Sequence, residues 1–233
     1  MTGILYGVGV GPGAPDLMTL RAARLIKTAT VIAYPTLAGT ASFARSIAAG
    51  LIPATAQEIV MDVPMTPDRA PAQAAYDLGA AQIAAALEAG ENVICLCEGD
   101  PFFYGSFMYL FARLSPRYQV EIVPGVTSVT ACTAVAGLPL VARNERLTVL
   151  PGPLPEVELR ARIEGAEAVV IMKVGRHLSK IRAVIADLGL TGRAIYVERA
   201  TLPEQVVLPL SDAPEIAPYF SMILLTKGAD PWL

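Results

Sequence analysis

The sequence predicts two successive α/β domains, with a mostly parallel sheet in the N-terminal domain and a mixed sheet in the C-terminal domain. In the first half, short apolar segments typical of strands alternate with longer segments typical of helices, the order that parallel β-α-β units require. The second half begins in the same way but ends with apolar segments close together, which favours antiparallel pairing. A chain of 233 residues is long enough to bury two such cores.

The N-terminal domain is predicted at residues 1–115. Pro35 is expected to end the second strand, because proline lacks a backbone donor, and Gly90 is expected to end the third helix. Asp16 is placed to cap the first helix. Strands are predicted at 4–10, 30–35, 57–63 and 92–97, and helices at 17–28, 40–52, 71–89 and 105–114.

The segment "SPRY" at residues 115–118 is the best candidate for a linker, so the C-terminal domain is predicted at residues 119–233. Its last two strands are separated only by a short connector, and this places the antiparallel part of the sheet there. Strands are predicted at 119–123, 147–152, 168–174, 193–200, 205–210 and 221–228, and helices at 129–137, 156–163 and 178–188.

Composition excludes several kinds of partner. The chain is 54% hydrophobic and 17% charged, with a formal net charge of −3 and no long block of one sign. A nucleic-acid partner is not expected, because no basic surface is available to follow phosphates. No apolar run reaches the roughly 18 to 20 residues that cross a bilayer, and the N-terminus does not resemble a signal peptide. We therefore expect no membrane association and a cytoplasmic location.

The cysteines do not indicate a disulfide framework or a metal site. Their number is odd, and Cys95 and Cys97 share one face of a predicted strand. A zinc site needs more soft ligands than these, and His177 is the only histidine. The sequence predicts that Cys95, Cys97 and Cys132 are buried and unreactive, and that no metal is bound.

The glycine loop after the first strand satisfies the pattern G-x-G-x-x-A between Gly9 and Ala14. A dinucleotide site also needs an acidic residue near the end of the second strand to hold the ribose. That strand ends in "AYP", without an acid, and Pro12 removes a backbone N–H from the loop. A nicotinamide-dependent oxidoreductase is therefore disfavoured, and a plain strand-to-helix turn stays open as an alternative.

Four segments, taken together and in order, resemble the tetrapyrrole (corrin/porphyrin) methyltransferase family. The similarity extends from Ile4 to about Gly228. The segments are "GVGVGPGAPDLMTLRAARLI", "CEGDPFFYGSFMYL", "VEIVPGVTSVTACTAVAGLPL" and "ERATLPEQ". They are most similar to members that methylate precorrin-2 at C20, giving precorrin-3A in cobalamin biosynthesis.

The resemblance implies a homodimer of two α/β domains that are not of the Rossmann type, with the active site in the cleft between them. It implies S-adenosylmethionine as methyl donor, S-adenosylhomocysteine as product and a tetrapyrrole as substrate. Such a substrate is flat and rich in carboxylates, so binding it needs arginines and backbone N–H groups. The wider candidates for this role are Arg21, Arg24, Arg45, Arg143, Arg146 and Arg176.

The resemblance also implies site residues, position by position. Met172, Ala200 and Gly228 rest on looser local similarity than the others. Substrate contacts are assigned to Gly11, Arg21 and Ser106. Cofactor contacts are assigned to Pro12, Glu98, Gly99, Asp100, Phe103, Tyr104, Thr127, Ser128, Met172, Ala200 and Gly228.

The catalytic residue, if there is one, is unknown at this point. Related enzymes have an aspartate just after the second strand as general base, and the matching position here is Pro35, so that role does not carry over. Tyr104 and Asp62 both stay open as a base. Glu98 and Asp100 are expected to serve the loop and the cofactor, because two carboxylates on one turn cannot flank a substrate.

Three other functions stay open. One is methylation of the cobalt-bearing counterpart of the substrate, and another is a tetrapyrrole carrier without catalysis. A third is a family member that acts on a protein, which the aromatic segment "FFYGSFMYL" disfavours.

Overall fold

The computed structural model describes residues 2–37, 39–64, 66 and 68–228. The chain divides into two compact units, Met1–Thr127 and Ser128–Leu233. Each unit contains one five-stranded sheet with helices on both faces. The predicted fold class, two α/β domains in succession, is confirmed.

The first unit is built on a parallel sheet. Its strands are β1 (Leu5–Gly9), β2 (Val31–Leu37), β3 (Gln57–Val63), β4 (Val93–Cys97) and β5 (Val120–Val123). Its α-helices are α1 (Leu20–Lys27), α2 (Phe43–Ala48), α3 (Ala70–Glu88) and α4 (Phe107–Leu114). The strand order is β3-β2-β4-β1-β5, and every neighbouring pair is parallel. The carboxyl ends of all five strands therefore lie at one edge of the sheet.

Successive side chains of β4 point to opposite faces of this sheet, and their neighbours show which helices cover each face. Ile94 and Leu96 pack with α1 and α2, together with Ile32 and Tyr34 of β2. Val93, Cys95 and Cys97 point to the other face, which α3 and α4 cover. Because both faces are buried, β4 is apolar at every position, as parallel strands usually are.

The boundary between the units differs from the sequence prediction. Residues 119–123 were expected to open the C-terminal domain, whereas β5 pairs with β1 along its whole length and the units divide after Thr127. The segment 115–118 is therefore a turn within the first unit. A strand's own residues show that it needs a neighbour, but they do not show which strand that neighbour is.

Two local predictions in the first unit are wrong. Thr19, not Asp16, caps α1: its hydroxyl accepts from the Ala22 N–H at 3.2 Å, and Asp16 lies in a separate 3₁₀ turn at Pro15–Leu17. Pro35 does not end β2, which continues to Leu37. Beyond Ala33 only β3 pairs with β2, so a residue without an N–H is tolerated there.

The second unit contains the predicted mixed sheet. Its strands are β6 (Leu147–Pro151), β7 (Ala168–Met172), β8 (Ala194–Glu198), β9 (Val206–Pro209) and β10 (Ser221–Thr226). Its α-helices are α5 (Ser128–Ala136), α6 (Glu156–Glu164) and α7 (Leu178–Asp187). The order is β6-β7-β10-β8-β9, with β6 and β7 parallel and the other pairs antiparallel. Helices α6 and α7 cover one face and α5 the other.

Burial of the cysteines agrees with the sequence. Cys95, Cys97 and Cys132 are all buried with free thiols, and desolvation raises the pKa of Cys132 to about 12. Within the described ranges, no group of three or more potential metal-binding side chains comes together. Of the helices described, none is both long enough and apolar enough to cross a membrane.

Candidate functional site

Three loops of the first unit meet at the carboxyl edge of its sheet, after β1, β4 and β5. The first two are joined by backbone hydrogen bonds. The Gly99 N–H donates to the Gly11 carbonyl at 2.8 Å, and the Gly11 N–H donates to the Gly99 carbonyl at 3.3 Å. Both glycines have positive φ, 84° for Gly11 and 61° for Gly99. Other residues rarely adopt this conformation, so the junction explains the glycine at both positions.

The third loop joins the first two through glycines that leave no room for a side chain. A Cβ on Gly125 would lie 2.0 Å from the Gly99 carbonyl oxygen, and a Cβ on Gly9 would lie 2.7 Å from the Gly125 Cα. Gly9, Gly99 and Gly125 therefore form a junction of backbone against backbone. We call it the glycine junction.

The Asp100 side chain fixes the conformation of two of these loops. Its Oδ1 accepts from the N–H groups of Phe102 and Phe103, at 2.9 and 3.1 Å, and its Oδ2 accepts from the Gly125 N–H at 3.0 Å. Both carboxylate oxygens are thus engaged by backbone donors. Asp100 therefore ties the loop after β4 to the loop after β5 through backbone donors.

Glu98 lies beside Asp100 but in a different environment. Its side chain is exposed, yet nearby protein atoms desolvate the carboxyl group and raise its pKa. No hydrogen bond from a described residue compensates for this desolvation. The two neighbouring acids therefore differ: Asp100 is held by three backbone N–H groups, whereas the Glu98 carboxyl is desolvated and its pKa is raised.

Replacing Glu98 with glutamine should raise the melting temperature at neutral pH. A raised pKa means that the folded protein holds the Glu98 proton more tightly than the unfolded chain does. The protonated acid therefore contributes to stability at low pH, and this contribution is lost as the pH rises through the pKa of Glu98 in the folded protein. Glutamine cannot ionise, so it removes the free-energy cost of holding a charge at this desolvated position. The gain should shrink as the pH falls towards the usual value of 4.5. Thermal unfolding of the wild type and of Glu98→Gln between neutral pH and pH 4.5 tests this prediction. A gain in melting temperature that does not depend on pH would contradict it.

The aromatic side chains after Asp100 divide into two groups. Phe102 packs against helix α4, with ring centroids 6.1 Å from Phe107 and 5.2 Å from Phe111. Phe103 and Tyr104 pack edge to face against each other at 5.4 Å and are 37% and 44% exposed. Tyr104 has a positive φ of 56°, which is uncommon for an aromatic residue and typical of functional loops. Phe102 is 45% exposed as well, but its ring is held against α4, so Phe103 and Tyr104 are the better candidates to contact a ligand.

The other predicted residues of this unit lie around the same edge. Gly11 and Pro12 belong to the loop after β1, and Thr127 ends the loop after β5, directly before Ser128 opens α5. Ser106 is the N-cap residue of α4, but its side chain makes no capping hydrogen bond.

Some charged candidates already have partners. Arg21 forms an ion pair with Glu121 of β5, and Arg146 pairs with Glu167. Asp62, one of the two candidates for a base, is exposed near the end of β3.

In the second unit, Met172 and Ala200 lie at one edge of the sheet. Strands β7 and β8 are both antiparallel to β10, so their carboxyl ends coincide. Met172 and Ala200 are buried in one cluster with residues of α5. Three residues beside them have positive φ, which the sequence did not indicate: Lys173 at 58°, Arg199 at 46° and Thr201 at 69°.

Gly228 lies elsewhere. The register pairs Met172 with Met222 at the start of β10, whereas Thr226 at its end pairs with Ala168. Gly228 follows Thr226 and is therefore at the opposite edge from Met172 and Ala200. A Cβ there would lie 2.1 Å from the Glu145 Oε1, so the end of that side chain would have to move. The structure does not group Gly228 with the other two predicted contacts of its unit.

The sequence model described as Tetrapyrrole (Corrin/Porphyrin) Methylases matches residues 4–214. A precorrin-2 C(20)-methyltransferase from a Sinorhizobium species is 42% identical over 98% of this chain and 97% of the relative. A cobalt-precorrin-2 C(20)-methyltransferase from Salmonella typhimurium is 35% identical over 97% of this chain and 98% of the relative.

A solved structure agrees with these relatives. Uroporphyrin-III C-methyl transferase from Thermus thermophilus, complexed with S-adenosylhomocysteine, is 28% identical, with a TM-score of 0.69 over 95% of this chain and 92% of that one. The resemblance noted from the four sequence segments is thus confirmed over most of the chain. The chain belongs to the tetrapyrrole (corrin/porphyrin) methylase family.

Proposed function

We propose that this enzyme transfers a methyl group from S-adenosylmethionine to C20 of precorrin-2, giving precorrin-3A in cobalamin biosynthesis. The observation that carries the proposal is the 42% identity, over almost the whole chain, to a precorrin-2 C(20)-methyltransferase. The relative solved with S-adenosylhomocysteine supports the choice of donor.

The residues at the carboxyl edge of the first sheet fit such a donor. Exposed Phe103 and Tyr104 offer flat apolar surface for a purine. Carboxylates at Glu98 and Asp100 suit the positive charge of a sulfonium. We assign the donor contacts of this unit to Pro12, Glu98, Gly99, Asp100, Phe103, Tyr104 and Thr127.

The chemistry places modest demands on the protein. When bound, S-adenosylmethionine supplies a methyl group on a sulfur that is already a good leaving group. The protein's task is to align acceptor and donor and to hold that alignment, which can supply a large part of the rate enhancement. Asp100 does this in our proposal by fixing the loops after β4 and β5 with three backbone hydrogen bonds.

A proton must leave C20 after methylation, and a modest general base could accept it. The aspartate of the related enzymes that methylate uroporphyrinogen is matched here by Pro35, which lies within β2 with its carbonyl accepting from the Ser42 hydroxyl at 2.8 Å. Tyr104 and Asp62 stay the two candidates for this role. The pH dependence of turnover in Tyr104→Phe and Asp62→Asn separates them, because loss of the base removes one limb of the profile.

The proposal is tested by incubating the purified protein with precorrin-2 and S-adenosylmethionine. We expect the product to gain one methyl group at C20, seen by mass spectrometry and carbon NMR. No gain in mass, or a methyl group at another carbon, would sink the proposal.

The cobalt-bearing substrate is the second candidate, because the Salmonella relative is named for it. The higher identity to the metal-free enzyme, 42% against 35%, favours metal-free precorrin-2. Turnover of metal-free and cobalt-loaded substrate, compared side by side, decides between them. A carrier without catalysis would bind the tetrapyrrole but not S-adenosylhomocysteine, which calorimetry detects.

Assembly and location stay proposals: the homodimer rests on the family resemblance, and the location on the sequence pattern. We infer a homodimer that acts in the cytoplasm. Light scattering of the purified protein and fractionation of the source cells test the two points. The roles of Ser128, Met172 and Ala200 as further donor contacts, and of Gly11, Arg21 and Ser106 as substrate contacts, are proposals of the same kind.

A further inference from the structure

We propose that a cavity beside the carboxyl end of β2 binds one carboxylate arm of the tetrapyrrole, with Arg45 as its cationic group. The proposal rests on the proposed function, because it takes a carboxylate-rich macrocycle as the substrate. It adds a binding position and a residue that the comparisons do not assign.

The cavity has a volume of about 200 Å³ and lies within the first unit. Its walls include Tyr34 and Thr36 of β2, Val60 of β3, and Ser42, Arg45 and Ser46 at α2. Most of the wall is apolar, which suits the methylene groups of an acetate or propionate arm. The cavity is large enough for such an arm but not for a whole macrocycle.

The hydroxyl groups in its wall are already engaged. The Thr36 hydroxyl donates to the Thr40 carbonyl at 2.5 Å, the Ser42 hydroxyl to the Pro35 carbonyl at 2.8 Å, and the Ser46 hydroxyl to the Phe43 carbonyl at 2.7 Å. These groups shape the wall, and the charge of an incoming carboxylate must be met by Arg45.

Arg45 is held in place on one side and has donors left on the other. Its Nε and Nη2 donate to the two oxygens of Glu58, at 2.8 and 2.7 Å, and the Tyr34 hydroxyl also donates to Glu58. Hydrogen bonds from Arg45, and to a smaller extent from Tyr34, lower the pKa of Glu58 to about 2, so the Arg45–Glu58 ion pair persists at neutral pH. In the described part of the chain, Nη1 has no hydrogen-bond partner. A guanidinium that is fixed by one carboxylate and open at its other amino group can bind a second.

The position of the cavity fits a macrocycle bound at the neighbouring loops. Strand β2 lies next to β4, whose end carries Glu98, and the strands of a sheet are only about 5 Å apart. Tyr34 and Leu96 point to the same face of the sheet, the face that α1 and α2 cover. In open parallel sheets, ligands bind outside the carboxyl ends of the strands. A broad ligand beside Glu98 would thus reach β2 with one arm.

The test measures affinity for sirohydrochlorin, the stable oxidised form of precorrin-2, by absorbance titration. Arg45→Gln should weaken binding about tenfold or more, the usual size of a charge-assisted hydrogen bond. Affinity of Arg45→Gln for S-adenosylhomocysteine should stay within about twofold of the wild type.

Ser46→Leu, which fills the cavity and keeps Arg45, should weaken tetrapyrrole binding as well. Methyl-esterified sirohydrochlorin should bind wild type and Arg45→Gln alike.

Glu58→Gln separates a binding role from a structural one. It breaks the same ion pair but leaves the guanidinium, so it should bind the tetrapyrrole at least as well as the wild type. Arg113→Gln is the matched control, because it breaks the Arg113–Asp77 pair on the opposite face and should change neither affinity. Equal losses in Arg45→Gln and Glu58→Gln would overturn the proposal, as would unchanged affinity in Arg45→Gln and Ser46→Leu. Arginine-dependent binding without a methylated product would support the cavity and refute the proposed reaction.

Discussion

Replacing Asp100 with alanine should weaken binding of S-adenosylhomocysteine about a hundredfold. The change leaves three backbone N–H groups, those of Phe102, Phe103 and Gly125, without their acceptor. Each lost hydrogen bond to a charged group is worth about 1.5–3 kcal/mol, and part of this is recovered when the loops relax into water. Calorimetry with S-adenosylhomocysteine measures the loss. Turnover should fall because the variant binds S-adenosylmethionine more weakly, so an excess of this donor should restore much of the turnover.

Two further variants make this expectation specific. Asp100→Asn keeps an oxygen for Phe102 and Phe103 but not a second acceptor for Gly125, so its loss of affinity should be intermediate. Asp68→Ala is the matched control: the Asp68 carboxylate also accepts from a backbone N–H two residues on, at 3.0 Å, in the loop after β3, a strand that β2 separates from β4 in the sheet. Asp68→Ala should bind S-adenosylhomocysteine as tightly as the wild type does. If Asp100→Ala bound S-adenosylhomocysteine normally and yet lost turnover, a catalytic role would replace the positioning role.

Gly125→Ala should destabilise the protein and reduce donor binding together. The new Cβ would stand 2.0 Å from the Gly99 carbonyl oxygen, far inside contact distance, and the obstacle is backbone that cannot rotate away. Overpacking of this kind costs about 1–3 kcal/mol in the free energy of unfolding. Urea unfolding measures that cost, and calorimetry measures the affinity for S-adenosylhomocysteine.

Gly50→Ala provides the comparison for this variant. It is also a glycine of the first unit, but no heavy atom lies within 4 Å of its Cβ position and its φ is not positive. Its free energy of unfolding should stay within about 0.5 kcal/mol of the wild type. Equal stability and equal affinity in Gly125→Ala would mean that the glycine junction does not hold the loops.

The elements of the fold could be predicted from the sequence because each is a local pattern. Apolar segments such as 168–174 predict strands, and the Ala-rich segment 71–89 predicts a helix. Pairing is not local, and this is why β5 was assigned to the wrong domain. The cap of α1 was misplaced for a related reason: Asp16 and Thr19 are both good N-cap residues, and only the backbone path decides between them.

The candidate site could be predicted only in part. The loops at Gly11 and at 98–100 were singled out by their glycines and carboxylates, and the structure joins them directly. The engagement of Asp100 with Gly125, the positive φ of Lys173 and the position of Gly228 all depend on how distant segments meet. Arg45 could be named as a possible carboxylate ligand, but the cavity beside it could not be seen in the sequence.

The glycine junction has a consequence for how such an enzyme changes over evolution. Main-chain atoms make the contacts among its three glycines, and the one side chain that supports the loops, Asp100, accepts from backbone N–H groups, so the exposed aromatic side chains of the same loops are not required for it. Phe103 and Tyr104 can therefore be exchanged for residues of other size and polarity while the path of the loop stays the same. The frame that orients a reaction and the surface that selects its substrate are in this way separate, and the second can diverge among related enzymes without cost to the first.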